Sequence, residues 1–213
     1  MTLSSSVSSL LNSSPPMLGL PKSTELSQQL PKTRVFAKFD LRSSQRDRFD
    51  EDVSRMAIVN VISPRTVPAL PVGEKVESIY VLEVLLKKQD YDTRNIRLLS
   101  KLIPQSILFL LRYENKVQLA IFHTKFLASG WGPEPEVNLS GLDLDAVWEG
   151  LVKTVGTIEV EAGNTLEEQI HYDEAREKLL KRIEALEAKS RSEKQTRRRL
   201  EMFEELQELK KQL

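Results

Sequence analysis

Hydrophobic and polar positions alternate in short blocks along the first three-quarters of the chain, and the period changes from block to block. Leu-Pro-Lys occurs at 20–22 and again at 30–32. A short helix fits between the two prolines, with Pro21 in its first turn and Pro31 as its stop. In TRVFAKFDL, from Thr33, Val35, Ala37 and Phe39 fall on one side and Phe36 on the other, the alternation of a strand. SSQRDRFDEDVSRM reads as a helix capped by Ser43 or Ser44, with Phe49, Val53 and Met56 on one stripe. AIVNVI, 57–62, is a short strand. Ser63-Pro64 ends it and opens an irregular loop through Pro68, Pro71 and Gly73.

IYVLEVLLKK, 79–88, holds seven apolar residues and one acid, Glu83, before Lys87 and Lys88, and predicts a buried strand. DYDTRNIRLLSKLIP predicts an amphipathic helix with Ile96, Leu99, Leu102 and Ile103 inward and Pro104 as its stop. SILFLLRY and KVQLAIFH give the strongest hairpin signal, joined through Glu114-Asn115, where asparagine tolerates a left-handed conformation. Trp131-Gly132-Pro133 opens a loop, and DLDAVWEGLVK, 143–153, predicts a helix capped by Asp143.

From Leu166 onward glycine and proline disappear, and twelve basic residues face twelve acidic ones. Leu179, Ile183 and Leu186 form one apolar stripe, and Leu200, Phe203, Leu206, Leu209 and Leu213 form another. Ser190 to Arg199 offers no apolar residue between them. A continuous coiled coil would set polar residues such as Ser190 and Arg197 in its seam, whereas two helices folded back on each other avoid this. Ser192 with Gln195 matches a capping box for a fresh helix start. Helices of this length need a partner for their apolar faces, either each other, the globular body or another chain. The fold class expected is therefore α/β, a mixed sheet of four to six strands with flanking helices over residues 20–158. A disordered tail is expected before it at 1–19, and a C-terminal helical hairpin or coiled coil after it at 165–213.

Composition narrows the chemistry. The chain of 213 residues has no cysteine, so disulfides, thiolate metal sites and cysteine nucleophiles are excluded together. Thirty-one basic and thirty-one acidic residues cancel, so nucleic acid or membrane binding must come from a local patch. The first basic residue is Lys22, which does not suit a signal peptide, and no apolar run approaches a bilayer span. A cytoplasmic protein without membrane contact is expected.

Glu83 raises the question of catalysis. Restriction-type nucleases set an acid and a lysine two residues apart on a strand, so that both reach a metal and a water. Here Glu83 and Lys87 are four apart, about 13 Å at roughly 3.3 Å per residue, and Lys88 points to the other face. The register is wrong for that chemistry, and a strand acid that pairs with a lysine or arginine of a neighbouring strand is the favoured reading. His123 and His171 have no ligand partner at metal spacing, so neither a metal nor a cofactor is expected. Glycine-rich nucleotide loops and a serine-hydrolase elbow are absent. Asp47, Asp50, Glu51 and Asp52 read as a solvated helix face. Arg197, Arg198 and Arg199 form the one local basic patch, spread over about 200° of helix at about 100° per residue. With Lys22, Lys32, Lys38, Glu83 and Lys87 they make up an alternative reading as a nucleic-acid-binding or divergent nuclease-like domain.

Three stretches carry a family resemblance: ISPRTV (62–67), KVESIYVLEVLLKK (75–88) and SKLIPQSILFLLRYENKVQLAIFHTK (100–125). Over residues 18–213 the chain resembles an uncharacterised bacterial family classed as a domain of unknown function. Members of that family are encoded beside helicases and DNA methyltransferases in restriction-like, phage-defence neighbourhoods. The resemblance carries no catalytic residue. It implies a helicase or methyltransferase subunit as protein partner, with possible DNA contact. Some family members carry an aromatic in place of Asn60 or nearby, a departure expected to alter a surface and not the fold. The expectation is a non-catalytic accessory subunit that docks through Leu179, Ile183, Leu186, Leu200, Phe203 and Leu206, with self-association into a homodimer as a further possibility.

Overall fold

The computed structural model describes residues 17–212; most of the tail read at 1–19, and Leu213, lie outside them. The chain forms two compact units, divided after Thr157. The first is built on a six-stranded mixed sheet in the order β1 to β6, flanked by helices, so the α/β class is as expected. Its strands are β1 (Glu25–Gln29), β2 (Val53–Ile62), β3 (Ile79–Leu86), β4 (Ser106–Tyr113), β5 (Lys116–Phe122) and β6 (Phe126–Ala128). Its helices are α1 (Lys32–Lys38), α2 (Ser43–Asp52), α3 (Thr93–Leu99) and α4 (Leu144–Gly156).

β3 and β4 pair parallel, and the other neighbours pair antiparallel. A parallel pair needs a crossover connection, and residues 87–105 supply it with α3. The near-continuous apolar runs of β3 and β4 follow from burial on both faces. On one face Leu82, Val84, Leu86, Ile107, Phe109 and Leu111 join Val35 of α1, Phe49 of α2, and Ile96 and Leu99 of α3 in one buried cluster. The alternate residues Ile79, Val81, Leu108 and Leu110 are equally buried on the other face. On that second face α4 packs on β5 and β6 through its buried stripe Val147, Leu151, Val152 and Val155.

Two local expectations are overturned. The segment between the prolines is not a helix: after a 3-10 turn at Lys22–Thr24 it becomes β1, pairing Gln28 with Ile58 and Gln29 with Ala57. Every residue of β1 is exposed, as suits a polar edge strand. TRVFAKFDL is not a strand but α1. Val35 and Phe39, four apart, share a helical face, and with Phe36 they pack into the core. V-F-A-K-F satisfies both periods, and only the pairing of β1 with β2 separates them.

Smaller differences have similar causes. α2 stops at Asp52 because Val53 pairs with Leu86 and Met56 with Val84, so the expected helical stripe continues as a strand. Its N-cap is Arg42, not a serine, and the Gln45 side chain accepts from the Arg42 N–H at 3.0 Å. In the β4–β5 turn the left-handed residue is Glu114 (φ +51°), not Asn115. A register shift between Ile58 and Asn60 turns Asn60 inward, where its amide donates to Thr24 Oγ1 at 2.9 Å. Asn60 is 1% exposed, so the departure there alters no surface. Asp143 caps α4 as expected, accepting from the Ala146 N–H at 2.9 Å.

In the second unit α5 (Leu166–Ser192) and α6 (Thr196–Lys210) are separated by three non-helical residues and pack against each other. Thr165 and Glu168 form a reciprocal capping box at the start of α5. The box expected from Ser192 and Gln195 does not form. Ser192 closes α5, its hydroxyl donating to the Lys189 carbonyl at 3.0 Å, and Gln195 is the N-cap of α6 without a side-chain cap. Ile183, Leu206 and Leu209 form the hairpin core, flanked by Leu179 and Leu186. Arg182–Glu205 (2.6 Å) and Lys210–Glu187 (2.7 Å) tie the helices across it.

One carboxylate anchors the long β2–β3 loop. Asp145, in the first turn of α4, accepts from the backbone N–H groups of Glu74 (2.8 Å), Lys75 (3.2 Å) and Val76 (2.8 Å). A Cβ on Gly73 would overlap that carboxylate, so the loop needs glycine there. Replacing Asp145 with alanine returns the exposed Glu74 and Lys75 N–H groups to water and leaves the partly buried Val76 N–H without its partner. It is expected to cost about 1–2 kcal/mol, read as a lower urea midpoint. Gly73→Ala should lower the midpoint as well.

Candidate functional site

Glu83 pairs with an arginine of the neighbouring strand. In the parallel register Glu83 lies opposite Leu110, and Arg112, two residues further along β4, projects from the same face. Arg112 Nε donates to Glu83 Oε1 at 2.6 Å, and its Nη2 donates to Glu134 Oε2, also at 2.6 Å. The second oxygen of Glu134 accepts from the Leu18 N–H at 2.8 Å. Partial burial disfavours the Arg112 charge, but its hydrogen bonds to Glu134 and Glu83 outweigh this and raise the guanidinium pKa above its ordinary value. Glu83 is thus the neutralised end of a carboxylate–guanidinium–carboxylate chain that fastens the loop after β6 and the segment at Leu18 to the sheet.

Lys87 does not join it. Its ammonium donates to the Asp50 carbonyl at 2.5 Å, and Lys32 pairs with the Asp50 carboxylate at 2.6 Å. Lys38 donates to the Leu102 carbonyl, and Lys22 is exposed at the start of the 3-10 turn before β1. Lys22, Lys32, Lys38, Glu83 and Lys87 therefore do not converge on one site. Among the described residues no group of three or more histidine, aspartate or glutamate side chains is placed to hold a metal ion.

A second polar cluster was missed in the sequence. Asp52, expected on a solvated helix face, is 1% exposed. Its Oδ2 accepts from the Asp92 N–H (2.8 Å) and the Asn95 amide (2.7 Å), and its Oδ1 lies 2.8 Å from Lys88 Nζ. Pairing with the Asp52 carboxylate, which accepts from the ammonium, raises the Lys88 pKa. This network joins the end of α2 to the start of α3. Nothing in Asp50-Glu51-Asp52 marks the third residue as the buried one, because the helix ends there and the strand pairing of Val53 fixes its direction.

Beside α1 a cavity of about 460 Å³ opens onto the core, with Leu30, Ile58, Leu82 and Ile107 as apolar wall and Arg34 and Lys38 above. The two cations share a face of α1 at i and i+4, a relation hidden when the segment is read as a strand.

On the hairpin, the expected docking residues divide. Ile183 and Leu206 are buried between the helices, and Leu179 and Leu186 pack against them. Leu200 and Phe203 are exposed, at 58% and 53%. The α6 stripe repeats every three residues, and each step of three falls about 60° short of a full turn. Leu200 and Leu209 consequently face opposite sides of α6. Arg197, Arg198 and Arg199 occupy its first turn.

These features define a mixed α/β protein that carries a helical hairpin, its strand acid held in an ion-pair network. The chain belongs to the family described as Domain of unknown function (DUF4391), whose model matches residues 18–213. No curated protein and no solved structure matches the chain. Among the described residues no helix is long and apolar enough to cross a membrane.

If Glu83 is a tie and not a catalytic base, a double-mutant cycle of Glu83→Ala and Arg112→Ala should give a coupling energy of about 1 kcal/mol or more in chemical denaturation; additive effects would rule the tie out. Asp92 gives a pH signature. Its carboxyl is held below the ordinary value chiefly by the Arg94 side chain, with the Arg94 N–H and the charges of Arg94 and Arg48 adding to the effect. The unfolded chain therefore binds this proton first as pH falls. The stability Asp92 contributes is present above about 4, the ordinary aspartate range, and is lost as pH drops through the folded value. In Arg94→Gln, NMR titration should place the Asp92 carboxyl closer to that ordinary range.

Proposed function

We propose that this protein is a non-catalytic accessory subunit of a bacterial helicase–methyltransferase defence system, held to its large partner through the C-terminal hairpin. The observation that carries the docking role is the division of apolar residues on α6. Leu206 and Leu209 close the hairpin, while Leu200 and Phe203 remain on the outside, where intramolecular packing leaves them uncovered. Burying two such side chains in a partner is worth about 1.5–3 kcal/mol each, and phenylalanine is among the residues enriched at interfaces. The nature of the partner rests on the resemblance drawn from residues 62–67, 75–88 and 100–125. The ion pairing of Glu83 with Arg112 favours this reading over the nuclease-like one, since a general base or metal ligand must be available to substrate.

The experiment is capture of partners from the native host by the tagged full-length chain and by its Leu200→Asp/Phe203→Asp variant. Both side chains are exposed, so the variant should keep its circular dichroism and melting temperature. The wild type should recover a helicase or methyltransferase subunit, and the variant should lose it by two orders of magnitude or more in affinity, from about 2 kcal/mol at each position. Equal recovery by both would place the interface elsewhere.

A further inference from the structure

We propose that the tip of the α5–α6 hairpin is a docking surface for the phosphate backbone of duplex nucleic acid, a role separate from partner docking through Leu200 and Phe203. Residues 189–199 contain six lysines or arginines and one glutamate, a local net charge of +5 in a chain whose formal net charge is zero. The break between α5 and α6 gathers these residues at one end of the hairpin, with Lys189 and Arg191 in the last turn of α5 and Arg197, Arg198 and Arg199 in the first turn of α6.

Two of the six are occupied. Arg191 pairs with Glu187 at 3.4 Å, and Arg197 with Glu201 at 3.3 Å. The side chains of Lys189, Lys194, Arg198 and Arg199 are exposed and make no ion pair with the described residues. The wide angular spread of the arginine run matters less once Arg197 is taken up by Glu201. Arg198 and Arg199 are then about 100° apart on α6, with Lys194 in the turn and Lys189 on the facing helix.

The tip also runs against helix stability. A helix N-terminus favours acidic side chains and disfavours cations. α5 follows this rule, with Glu167 and Glu168 in its first turn, whereas α6 has three arginines and no acid there. A surface that concentrates like charge at an unfavourable helix end is accounted for by an anionic partner that neutralises it.

The composition of the tip selects among polyanions. Residues 190–199 contain no apolar or aromatic side chain. A membrane-surface helix needs an apolar face to insert, and a single-strand binder needs aromatic platforms on which bases stack; the exposed side chains next along α6, Leu200 and Phe203, are the ones the proposed function assigns to the protein partner. Guanidinium groups suit phosphate oxygens through paired hydrogen bonds. What remains is contact with a duplex backbone, without base readout.

The test uses the full-length chain and a 30-base-pair DNA duplex, with a poly-dT strand of equal length and phosphatidylserine vesicles as further arms. Four phosphate contacts predict a log–log salt slope near −3.6 and a loss of affinity of roughly 100-fold between 50 and 200 mM salt. Lys194→Glu/Arg198→Glu/Arg199→Glu should weaken duplex binding more than tenfold at 50 mM salt without lowering the melting temperature, because acids suit the start of α6. Arg198→Gln/Arg199→Gln should reduce the slope by about 1.8, and the uncharged Leu200→Ser/Phe203→Ser should leave duplex affinity unchanged. The proposal is overturned if the wild type fails to bind duplex at 50 mM salt, if charge reversal leaves binding intact, or if poly-dT or the vesicles bind as tightly. Loss of duplex binding in the Leu200/Phe203 variant would overturn it as well.

Discussion

In a parallel pair both strands run the same way, so the chain leaving β3 at Leu86 must return along the sheet before β4 begins at Ser106. That return lays α3 across one face of the sheet and brings Ile96 and Leu99 onto Leu82, Val84, Phe109 and Leu111. On the other face Ile79, Val81, Leu108 and Leu110 are buried as well, and a strand buried on both faces has little room for an unpaired charge. The Glu83–Arg112–Glu134 chain follows from this constraint. A carboxylate in the middle of β3 persists because β4 supplies a guanidinium two residues out of register, on the same face.

The body places its other charges where sheet and helices meet. Asp52 at the α2–β2 junction holds the start of α3, and Asp145 at the start of α4 holds the β2–β3 loop through three backbone donors. Both carboxylates accept from backbone N–H groups of irregular connections; where the donor is buried, as at the Asn95 amide on Asp52, leaving it unmet costs about 1–3 kcal/mol.

The hairpin follows a different logic. Its core is small, and its outer surface carries two features that intramolecular packing does not use, an apolar pair on α6 and a basic tip. The three-residue repeat of the α6 stripe produces the first. No straight helix can bury Leu200 and Leu209 against the same neighbour, because the repeat carries the stripe halfway round the helix between them. The second comes from placing arginines where a helix N-terminus favours acids.

The sequence by itself determined the elements whose period is unambiguous and long: β3, β4 and β5 as apolar runs, α4 with its Asp143 cap, and a polar break between two C-terminal helical segments. It also settled that Glu83 and Lys87 are out of register for shared chemistry, since the spacing of side chains on a strand is fixed by the backbone. The tertiary structure decided what short segments could not. Residues 25–29 became an edge strand because β2 was there to pair with them, and residues 32–38 became a helix because Val35, Phe36 and Phe39 then meet the core together. Asp52 is buried while Asp50 beside it is not, because the chain changes from helix to strand at that residue. Local pattern states which faces a segment could bury. Only long-range pairing, acting between residues tens of positions apart, decides which face finds a partner.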